Sequence, residues 1–186
     1  MSYNFTSSII KDRDKIELEE MFMSMNIVKV DETNAEKVVP LIAAFRVTLQ
    51  SYKNIHSEPD DKSAKEEVFE FLEKDYPIYA IEQNDEFIGY IVCRIEEPCL
   101  WVEHIYVMDE YRRCGAASML FGKAEEIAES MGEDTVYNFV HPNNEDMISF
   151  LRSKGYTVLN MLEIRKSYKG EELSTTIHVD ENTFDY

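Results

Sequence analysis

Two adjacent arginines and a glycine stand directly before an amphipathic segment, in the run Arg112-Arg-Cys-Gly115-Ala-Ala117. The first turn of a helix leaves backbone N–H groups unpaired at the positive end of the helix dipole, and an anion is stabilised there. Glycine lets a phosphate approach the backbone, and the arginines add positive charge to a chain of formal net charge -18. The arginine pair alone is equally well explained as solvated surface charge, but the full pattern favours a diphosphate site.

The two best-known phosphate-binding loops do not match this run. The spacing from Gly115 to Gly122-Lys123 is wrong for a mononucleotide P-loop, and Ala124 follows where that loop has a serine or threonine. The sequence contains no G-x-G-x-x-G dinucleotide fingerprint. A different kind of phosphate ligand is therefore expected.

Residue periodicity predicts the elements that position this turn. Capping-box spacing in Thr33-Asn-Ala-Glu36 and in Ser63-Ala-Lys-Glu66 predicts two helix starts, and Pro40 is expected to kink the first helix. The helix after Gly115 is expected to end at Gly132 in a left-handed cap. The predicted strands span residues 25–30, 76–83, 86–97, 99–107, 135–140, 156–166 and 174–179, and the last helix spans residues 144–154.

The order of these elements predicts the α+β (mixed α/β) class. Three consecutive strands with tight joints indicate an antiparallel meander, and the later strand–helix–strand passage implies one parallel crossover. We expect about six or seven strands, mostly antiparallel, and about four helices. Ligands tend to bind where such a sheet changes strand direction.

Composition limits the function further. The chain has 186 residues, of which 44% are hydrophobic, so it can form one core of ordinary domain size, and it has no apolar run of membrane-spanning length. The first twenty residues lack the continuous apolar centre of a secretion signal, which favours a cytoplasmic protein. The 37 acidic residues against 19 basic ones argue against binding to nucleic acid or to anionic membranes.

The three cysteines, Cys93, Cys99 and Cys114, are odd in number and lack metal-ligand spacing. We expect neither a disulfide framework nor a metal site.

Two motifs in register resemble a known family. Arg112-Arg-Cys-Gly115-Ala-Ala117, after the strand ending at Val107, resembles the [QR]-x-x-G-x-[GA] acetyl-CoA loop of the GNAT (Gcn5-related N-acetyltransferase) superfamily. His141 to Tyr156 resembles its second motif, with Asn144 and Gly155 at the matching positions. The resemblance covers about residues 25–168. It implies acetyl-CoA in a notch between two splayed parallel strands, here residues 100–107 and 135–140, and transfer of its acetyl group to an amine.

The resemblance also implies roles for individual residues. The pantetheine arm would pair with the backbone of Ile105 and Val107 like an added strand, and the Val107 N–H would polarise the thioester carbonyl. Asn144 would bond the pantetheine or cap the last helix. The full set of implied CoA-binding residues is Ile105, Tyr106, Val107, Arg112, Arg113, Cys114, Gly115, Ala116, Ala117, Ser118 and Asn144.

Glu103 is the candidate general base. An alkylamine with a pKa of about 10.4 is mostly protonated at neutral pH and must lose a proton before it attacks a carbonyl. Strand alternation through WVEHIYV places Glu103 with Ile105 and Val107 on one face, and His104 with Tyr106 on the other. The alternative is that Glu103 is a strand carboxylate paired with a neighbouring cation. His104, and His141 before Pro142, are interpreted as structural, with His141 a secondary acid or base candidate.

The sequence departs from the family pattern at Leu151, where many members carry a tyrosine that protonates the departing thiolate. Tyr106, Tyr137 or a water could supply that proton, or the thiolate could leave unaided. Phe139 stands where some ribosomal-protein and N-terminal acetyltransferases place a glutamate, which argues against a protein N-terminus as the acceptor. The aromatic residues, Trp101 among them, are expected to be mostly core.

The leading hypothesis is an N-acetyltransferase that moves acetyl from acetyl-CoA to a primary amine by direct attack within a ternary complex. The acceptor is a small-molecule or peptide amine, and residues 45–60 are expected to help line its pocket. A non-catalytic acyl-CoA sensor or interaction module is the alternative. The expected organisation is an N-terminal extension (1–24), the acetyltransferase domain (25–168) and a C-terminal strand and tail (169–186) packed on it. The oligomeric state stays open, a homodimer included.

Overall fold

A five-stranded mixed sheet with helices packed against it carries the candidate site. The structure, a computed structural model, describes residues 24–173 and 175–186. In these residues the elements in chain order are β1 (Asn26–Lys29), α1 (Val39–Ser51), α2 (Asp61–Glu73), β2 (Ile78–Gln83), β3 (Glu86–Glu96), β4 (Cys99–Val107), α3 (Ala116–Ser130), β5 (Tyr137–Asn138), α4 (Glu145–Ser153), β6 (Thr176–Val179) and β7 (Asn182–Asp185). The predicted extension, residues 1–24, lies outside the described residues except for Ser24.

The sheet order is β1-β2-β3-β4-β5. The pairs from β1 to β4 are antiparallel, and β5 pairs with β4 in parallel. Asn84 and Asp85 join β2 to β3 with φ of 51° and 65°, the left-handed conformation that tight hairpins favour. The predicted meander followed by one parallel crossover is therefore confirmed.

The sheet buries residues on both faces. Ala80, Tyr90 and Val92 belong to a buried cluster formed with α1 and α2. Side chains alternate along a strand, so their neighbours point to the opposite face. There α3 packs against β2, β3 and β4, with Leu120 and Phe121 fully buried.

Two predicted helix starts are wrong by a few residues. At the first, Thr33 bonds to Asp31 instead of capping a helix, and a short 3-10 turn precedes α1. Pro40 falls in the first turn of α1, where its missing N–H costs nothing, so no kink is required. At the second, the cap is Asp60, whose carboxylate accepts from the Ser63 N–H at 3.1 Å. An aspartate upstream of the serine takes over the capping role.

The described residues divide into two compact units, with the division between Glu145 and Asp146. The second unit contains most of α4, an irregular segment and the antiparallel hairpin of β6 and β7, whose register pairs Thr176 with Asp185. Within it Arg165 forms an ion pair with Glu171 at 2.6 Å and lies 4.4 Å from the Tyr168 ring centroid.

The predicted strand over residues 156–166 is wrong, because this described segment has no regular secondary structure. Its alternating apolar side chains Val158 and Ile164 are exposed. An alternating pattern forms a strand only where a neighbouring strand edge accepts its hydrogen bonds. The predicted class is confirmed, but the seven strands of the described residues lie in two sheets of five and two.

Among residues 24–173 and 175–186, no helix combines the length and the apolar character needed to cross a bilayer.

Candidate active site

The turn between β4 and α3 presents backbone amides to an anion. Gly115, the N-cap residue of α3, has φ +96°, and no side chain caps the helix. The hydrogen-bond ladder of α3 starts with the Met119 N–H, which donates to the Gly115 carbonyl at 3.0 Å. The amides of Ala116, Ala117 and Ser118 precede that bond and have no acceptor within the helix. Such a turn fits the diphosphate that the sequence predicts.

The side chains of this turn divide into structural and exposed ones. Cys114 is buried, and its thiol donates to the Tyr111 carbonyl at 2.6 Å. Ala116 is buried under the first turn of the helix. Arg113 is exposed and has φ +66°. Cys114 and Ala116 therefore leave only their backbone for a ligand.

Arg112 ties the turn to the end of β4. Its Nε donates to the Val107 carbonyl at 3.1 Å, and its guanidinium forms an ion pair with Asp109 at 2.7 Å. The guanidinium also lies 5.8 Å from the centroid of the Tyr106 ring. Arg112 thus positions the turn, in addition to the CoA contact that the sequence resemblance implies.

The pairing between β4 and β5 ends before the second half of β4. The strands β4 and β5 pair only at Trp101 with Tyr137 and at Val102 with Asn138. Beyond these pairs β4 continues for five residues, 103–107, and four of them, residues 104–107, pair on the other side with β3. We call the unpaired region between residues 103–107 and the chain after Asn138 the notch.

Two peptide groups of β4 point into the notch. The Met108 N–H donates to the Ile88 carbonyl at 3.0 Å, and Tyr106 pairs with Tyr90. Peptide groups alternate in direction along a strand, so those of Ile105 and Val107 point away from β3. The bond from Arg112 to the Val107 carbonyl lies on that same side. The peptide group of Tyr106 points to β3 instead, so only its neighbours offer backbone groups to the notch.

A β-bulge interrupts β4 at Glu103. In the register, Val92 pairs with His104 and Cys93 with Val102, which leaves Glu103 without a partner. An extra residue breaks the alternation of side chains. The expectation that Glu103 shares a face with Ile105 and Val107, derived from unbroken alternation, is therefore wrong. Register across a sheet decides where a bulge falls, and the sequence of one strand does not show it.

Glu103 is paired with Arg94 of β3. Its side chain is 27% exposed and accepts a hydrogen bond from the Arg94 Nε. Arg94 also forms an ion pair with Glu96. The hydrogen bond to Glu103 raises the pKa of Arg94, which keeps the guanidinium charged. The pairing that the sequence left as the alternative for Glu103 is therefore present.

An aromatic group lies beside this ion pair and was not predicted as part of the site. The Trp101 ring stacks on Phe139 with centroids 4.6 Å apart and lies 4.9 Å from Tyr137. The Arg94 guanidinium lies 5.6 Å from the centroid of the Trp101 ring. Phe139 is 62% exposed and Trp101 is half-buried, so neither is a core residue. The parallel pairing of their strands, which brings the rings together, was the available signal.

His104, next to the bulge, is held in a buried polar cluster. Its Nδ1 lies 3.1 Å from the Tyr90 hydroxyl, and its Nε2 lies 3.9 Å from Glu67, which forms an ion pair with Arg46. Burial, with a smaller contribution from Arg46, lowers the pKa of His104 to about 4. Burial also raises the pKa of Glu67. The ring of Phe45 packs on the imidazole at 4.6 Å. His104 is a neutral, structural histidine, as predicted.

His141 fixes the turn that follows β5. Its ring stacks on Tyr52 with centroids 5.7 Å apart, and its carbonyl accepts from the Asn144 N–H at 2.8 Å. The Asn143 side chain donates to the Tyr52 carbonyl at 2.9 Å. Burial lowers the pKa of His141. These contacts join the α1–α2 connection to the end of β5, and Asn144 directly precedes α4.

An open cleft of about 520 Å³ lies between the start of α1 and the end of β4. Leu41, Phe87 and the Tyr106 side chain form its apolar part, and Asp109 and Glu110 lie at its margin. Neither Glu103 nor Gly115 lines it. The Tyr106 side chain therefore lines this cleft.

The position of the missing family tyrosine is buried. Leu151 lies in the last turn of α4 and its carbonyl accepts from the Tyr156 N–H at 3.0 Å. Gly155 follows with φ +90°. The side chain of Leu151 offers no proton.

One comparison with known proteins shows the family. The model of the acetyltransferase (GNAT) family matches residues 43–156. The chain has no significant sequence match among curated proteins.

Solved structures share the fold. The aminoglycoside N-acetyltransferase AAC(6')-Iy in complex with a bisubstrate analogue is 17% identical, with a TM-score of 0.60 over 78% of this chain and 99% of that one. The aminoglycoside 6'-N-acetyltransferase AAC(6')-IG from Acinetobacter haemolyticus is 20% identical, with a TM-score of 0.58 over 77% and 99%. The ribosomal-protein-alanine N-acetyltransferase from Brucella melitensis biovar Abortus 2308 is 17% identical, with a TM-score of 0.59 over 77% and 99%.

The family match spans more than half of the chain and contains both the β4–α3 turn and the notch. The protein therefore belongs to the GNAT family of acetyl-CoA-dependent N-acetyltransferases.

Proposed function

We propose that the protein transfers acetyl from acetyl-CoA to the primary amine of a small molecule, by direct attack within a ternary complex. The observation that carries this proposal is the notch, where β4 leaves β5 after two pairs beside the uncapped start of α3. Two of the structural neighbours are aminoglycoside acetyltransferases, which supports a small-molecule amine. Phe139, where some protein-modifying relatives carry a glutamate, points the same way.

The backbone holds the cosubstrate in this proposal. The amides around Gly115, from Arg113 to Ser118, receive the diphosphate, and the peptide groups of Ile105 and Val107 bind the pantetheine as an added strand would. Acetyl-CoA supplies a thioester whose carbonyl carbon accepts the amine. The Val107 N–H, directed into the notch, polarises the thioester carbonyl. Asn144, at the start of α4, caps that helix or bonds the pantetheine.

Glu103 is the proposed base that takes the proton of the amine. Glu103 directly follows Val102, the last β4 residue that pairs with β5, and precedes Val107 by four residues. The bulge directs this side chain away from the regular ladder. The departing thiolate needs no acid from Leu151, because its pKa is within about two units of neutral pH.

Release of free thiol tests the proposal. Acetyl-CoA is mixed with small amines, polyamines, amino acids and peptides, and free CoA is trapped with a chromogenic disulfide. Release should require both acetyl-CoA and an amine, and a sample without amine corrects for the protein's own thiols. Cys93 will add little to that background, because burial raises its pKa to about 12. Tight acetyl-CoA binding with no release for any amine would contradict transfer and favour the acyl-CoA sensor. Leu151, which cannot donate a proton, and the pairing of Glu103 are the observations that favour the sensor.

The Glu103→Gln variant tests the base. Without the carboxylate, the amine must be deprotonated by solvent, so the activity profile should shift toward the amine pKa of about 10.4. Glu82→Gln is the matched control, because Glu82 is also a strand carboxylate, 29% exposed and paired with Lys37 at 3.0 Å. An unaltered rate and profile in Glu103→Gln would remove the base assignment.

A further inference from the structure

Arg94 is a cation held against an aromatic face and two carboxylates. Its side chain is only 19% exposed and contacts Glu96, Glu103 and the Trp101 ring at once. The β3–β4 register places it directly opposite Trp101. An aromatic face next to carboxylates is a favourable environment for any compact cation. The Arg94 guanidinium therefore occupies a position that is suited to a cation, which we call the cation site.

This cation site continues into an exposed apolar surface. Trp101 and Phe139 stack with an interplanar angle of 12°, and Tyr137 lies against the same tryptophan. Phe139 stays 62% exposed although it stacks on its neighbour. The stacked pair offers a flat surface for a carbon skeleton, and it begins where β5 leaves β4.

We infer that the Arg94 guanidinium occupies the position that the ammonium group of the acceptor takes on binding. The acceptor is then a cationic amine whose carbon ring lies on Trp101 and Phe139. This inference rests on the proposed function and specifies its substrate class. The ammonium group replaces the guanidinium on the Trp101 face and on Glu103. Arg94 keeps Glu96 as its partner, because Glu96 already pairs with it and is 62% exposed.

The exchange explains how a paired carboxylate acts as a base. While Arg94 bonds Glu103, its Nε–H occupies a carboxylate oxygen that must be free to accept a proton. When the ammonium group replaces Arg94, one N–H proton moves to the Glu103 carboxylate. The products of that step are a neutral amine with a free electron pair and a neutral carboxyl group, so charge and protons balance.

A purely structural clasp is the competing explanation. If Arg94 only joined β3 to β4, its removal would lower stability and leave amine binding unchanged or weaker. If it occupies the acceptor's place, its removal exposes the Trp101 face and leaves Glu103 without a cation. Amine binding then becomes tighter.

The fluorescence of Trp101 distinguishes these explanations without any turnover, because Trp101 is the single tryptophan of the chain. The full-length protein is titrated with bis(aminomethyl)cyclohexane and with bis(hydroxymethyl)cyclohexane, which has the same ring but no charge. The diamine should change the emission saturably, and the diol should not. In Arg94→Gln the dissociation constant of the diamine should fall about two- to fivefold, the size expected for one exposed cation–π contact. Adding Glu103→Gln should abolish that gain.

Arg165→Gln is the matched control, since Arg165 also pairs with a glutamate and lies over an aromatic ring. It should bind the diamine as the unmodified protein does. Thermal unfolding of each variant shows whether a change in affinity reflects a change in fold. An equal response to diamine and diol, or an unchanged or weaker affinity in a folded Arg94→Gln, would overturn the inference.

The test separates this inference from the proposed function. Acetyl-CoA binding, measured by calorimetry, and thiol release report on transfer. The Trp101 response reports on the cation site. Transfer without the Trp101 response would overturn only the acceptor assignment, and the response without transfer would overturn only the catalytic proposal.

Discussion

His104 does not accept a proton readily, because burial lowers its pKa to about 4 from an ordinary value of 6.5. A histidine with a lowered pKa in the folded state stabilises the fold above its unfolded pKa, and this stability is lost as pH falls toward the folded pKa. As the pH falls from 6.5 to 4, the titration of His104 should lower the free energy of unfolding by about 3 kcal/mol.

The His104→Asn variant isolates this contribution. Asparagine keeps an acceptor near the Tyr90 hydroxyl but does not titrate. The stability lost by the variant at neutral pH should therefore shrink as pH falls through this window, as measured by urea unfolding. Glu67, whose pKa is raised by burial, acts in the opposite direction in both proteins. The exposed His178→Asn serves as control, and a pH-independent difference for His104→Asn would contradict the prediction.

Gly115, at the start of α3, has a backbone conformation that a residue with a side chain rarely adopts. A side chain at φ +96° is strained, and at the proposed diphosphate site a Cβ there would hinder the approach of a phosphate. Gly115→Ala should therefore weaken CoA binding at least about tenfold, as measured by calorimetry.

Gly132, which follows the other end of the same helix, provides the matched comparison. It has φ +88° and no atom within 4 Å of the position that an added Cβ would take, so Gly132→Ala carries the same backbone strain far from the proposed ligand. Both variants should unfold at similar temperatures, about 1 to 2 kcal/mol less stable than the unmodified chain. Equal CoA affinity in the two variants would exclude the turn as the diphosphate site.

Gly89 controls the spacing between β3 and β4. A Cβ at this position would lie 2.8 Å from the Tyr106 carbonyl oxygen and 3.0 Å from a Val107 methyl group. Gly89→Ala should push β4 away from β3, lower stability by about 1 to 3 kcal/mol and weaken acetyl-CoA binding.

Gly122→Ala is its counterpart, because nothing lies within 4 Å of the added methyl group and the residue is inside α3. That variant should gain up to about 1 kcal/mol of stability and bind acetyl-CoA normally. Normal acetyl-CoA binding in Gly89→Ala would show that the notch does not depend on the position of β4.

The formal charge of -18 acts on the molecule as a whole. A polyanionic cosubstrate approaches a negative protein, and salt screens that repulsion over a Debye length of about 10 Å at about 0.1 M. Raising NaCl from about 20 to about 200 mM should leave the acetyl-CoA affinity unchanged or increase it. Calorimetric titrations across this range check the prediction, and a steep loss of affinity would contradict it.

Local signals in the sequence were sufficient for much of the fold and the site. The helical spacing of apolar residues and the positions of the glycines located the helix from Ala116 to Ser130, its left-handed cap at Gly132 and the turn at Gly115. These features depend on residues close together in the chain, so their cause is visible in the sequence.

Features that depend on register between strands were not predictable. The bulge at Glu103, the contact of Arg94 with Trp101 and the exposure of Phe139 arise from pairing between distant segments. The strand prediction over residues 156–166 was wrong for a related reason. Alternating apolar residues do not show whether a neighbouring strand is present to accept the hydrogen bonds.

The single surplus residue in β4 also has a consequence for the evolution and redesign of this protein. Pairing with β5 ends at Val102, immediately before the unpaired Glu103. A bulge bends and twists its strand. Deleting Glu103 should therefore straighten β4 and favour further pairing with the chain after Asn138. Length changes at this position should therefore be less tolerated than substitutions.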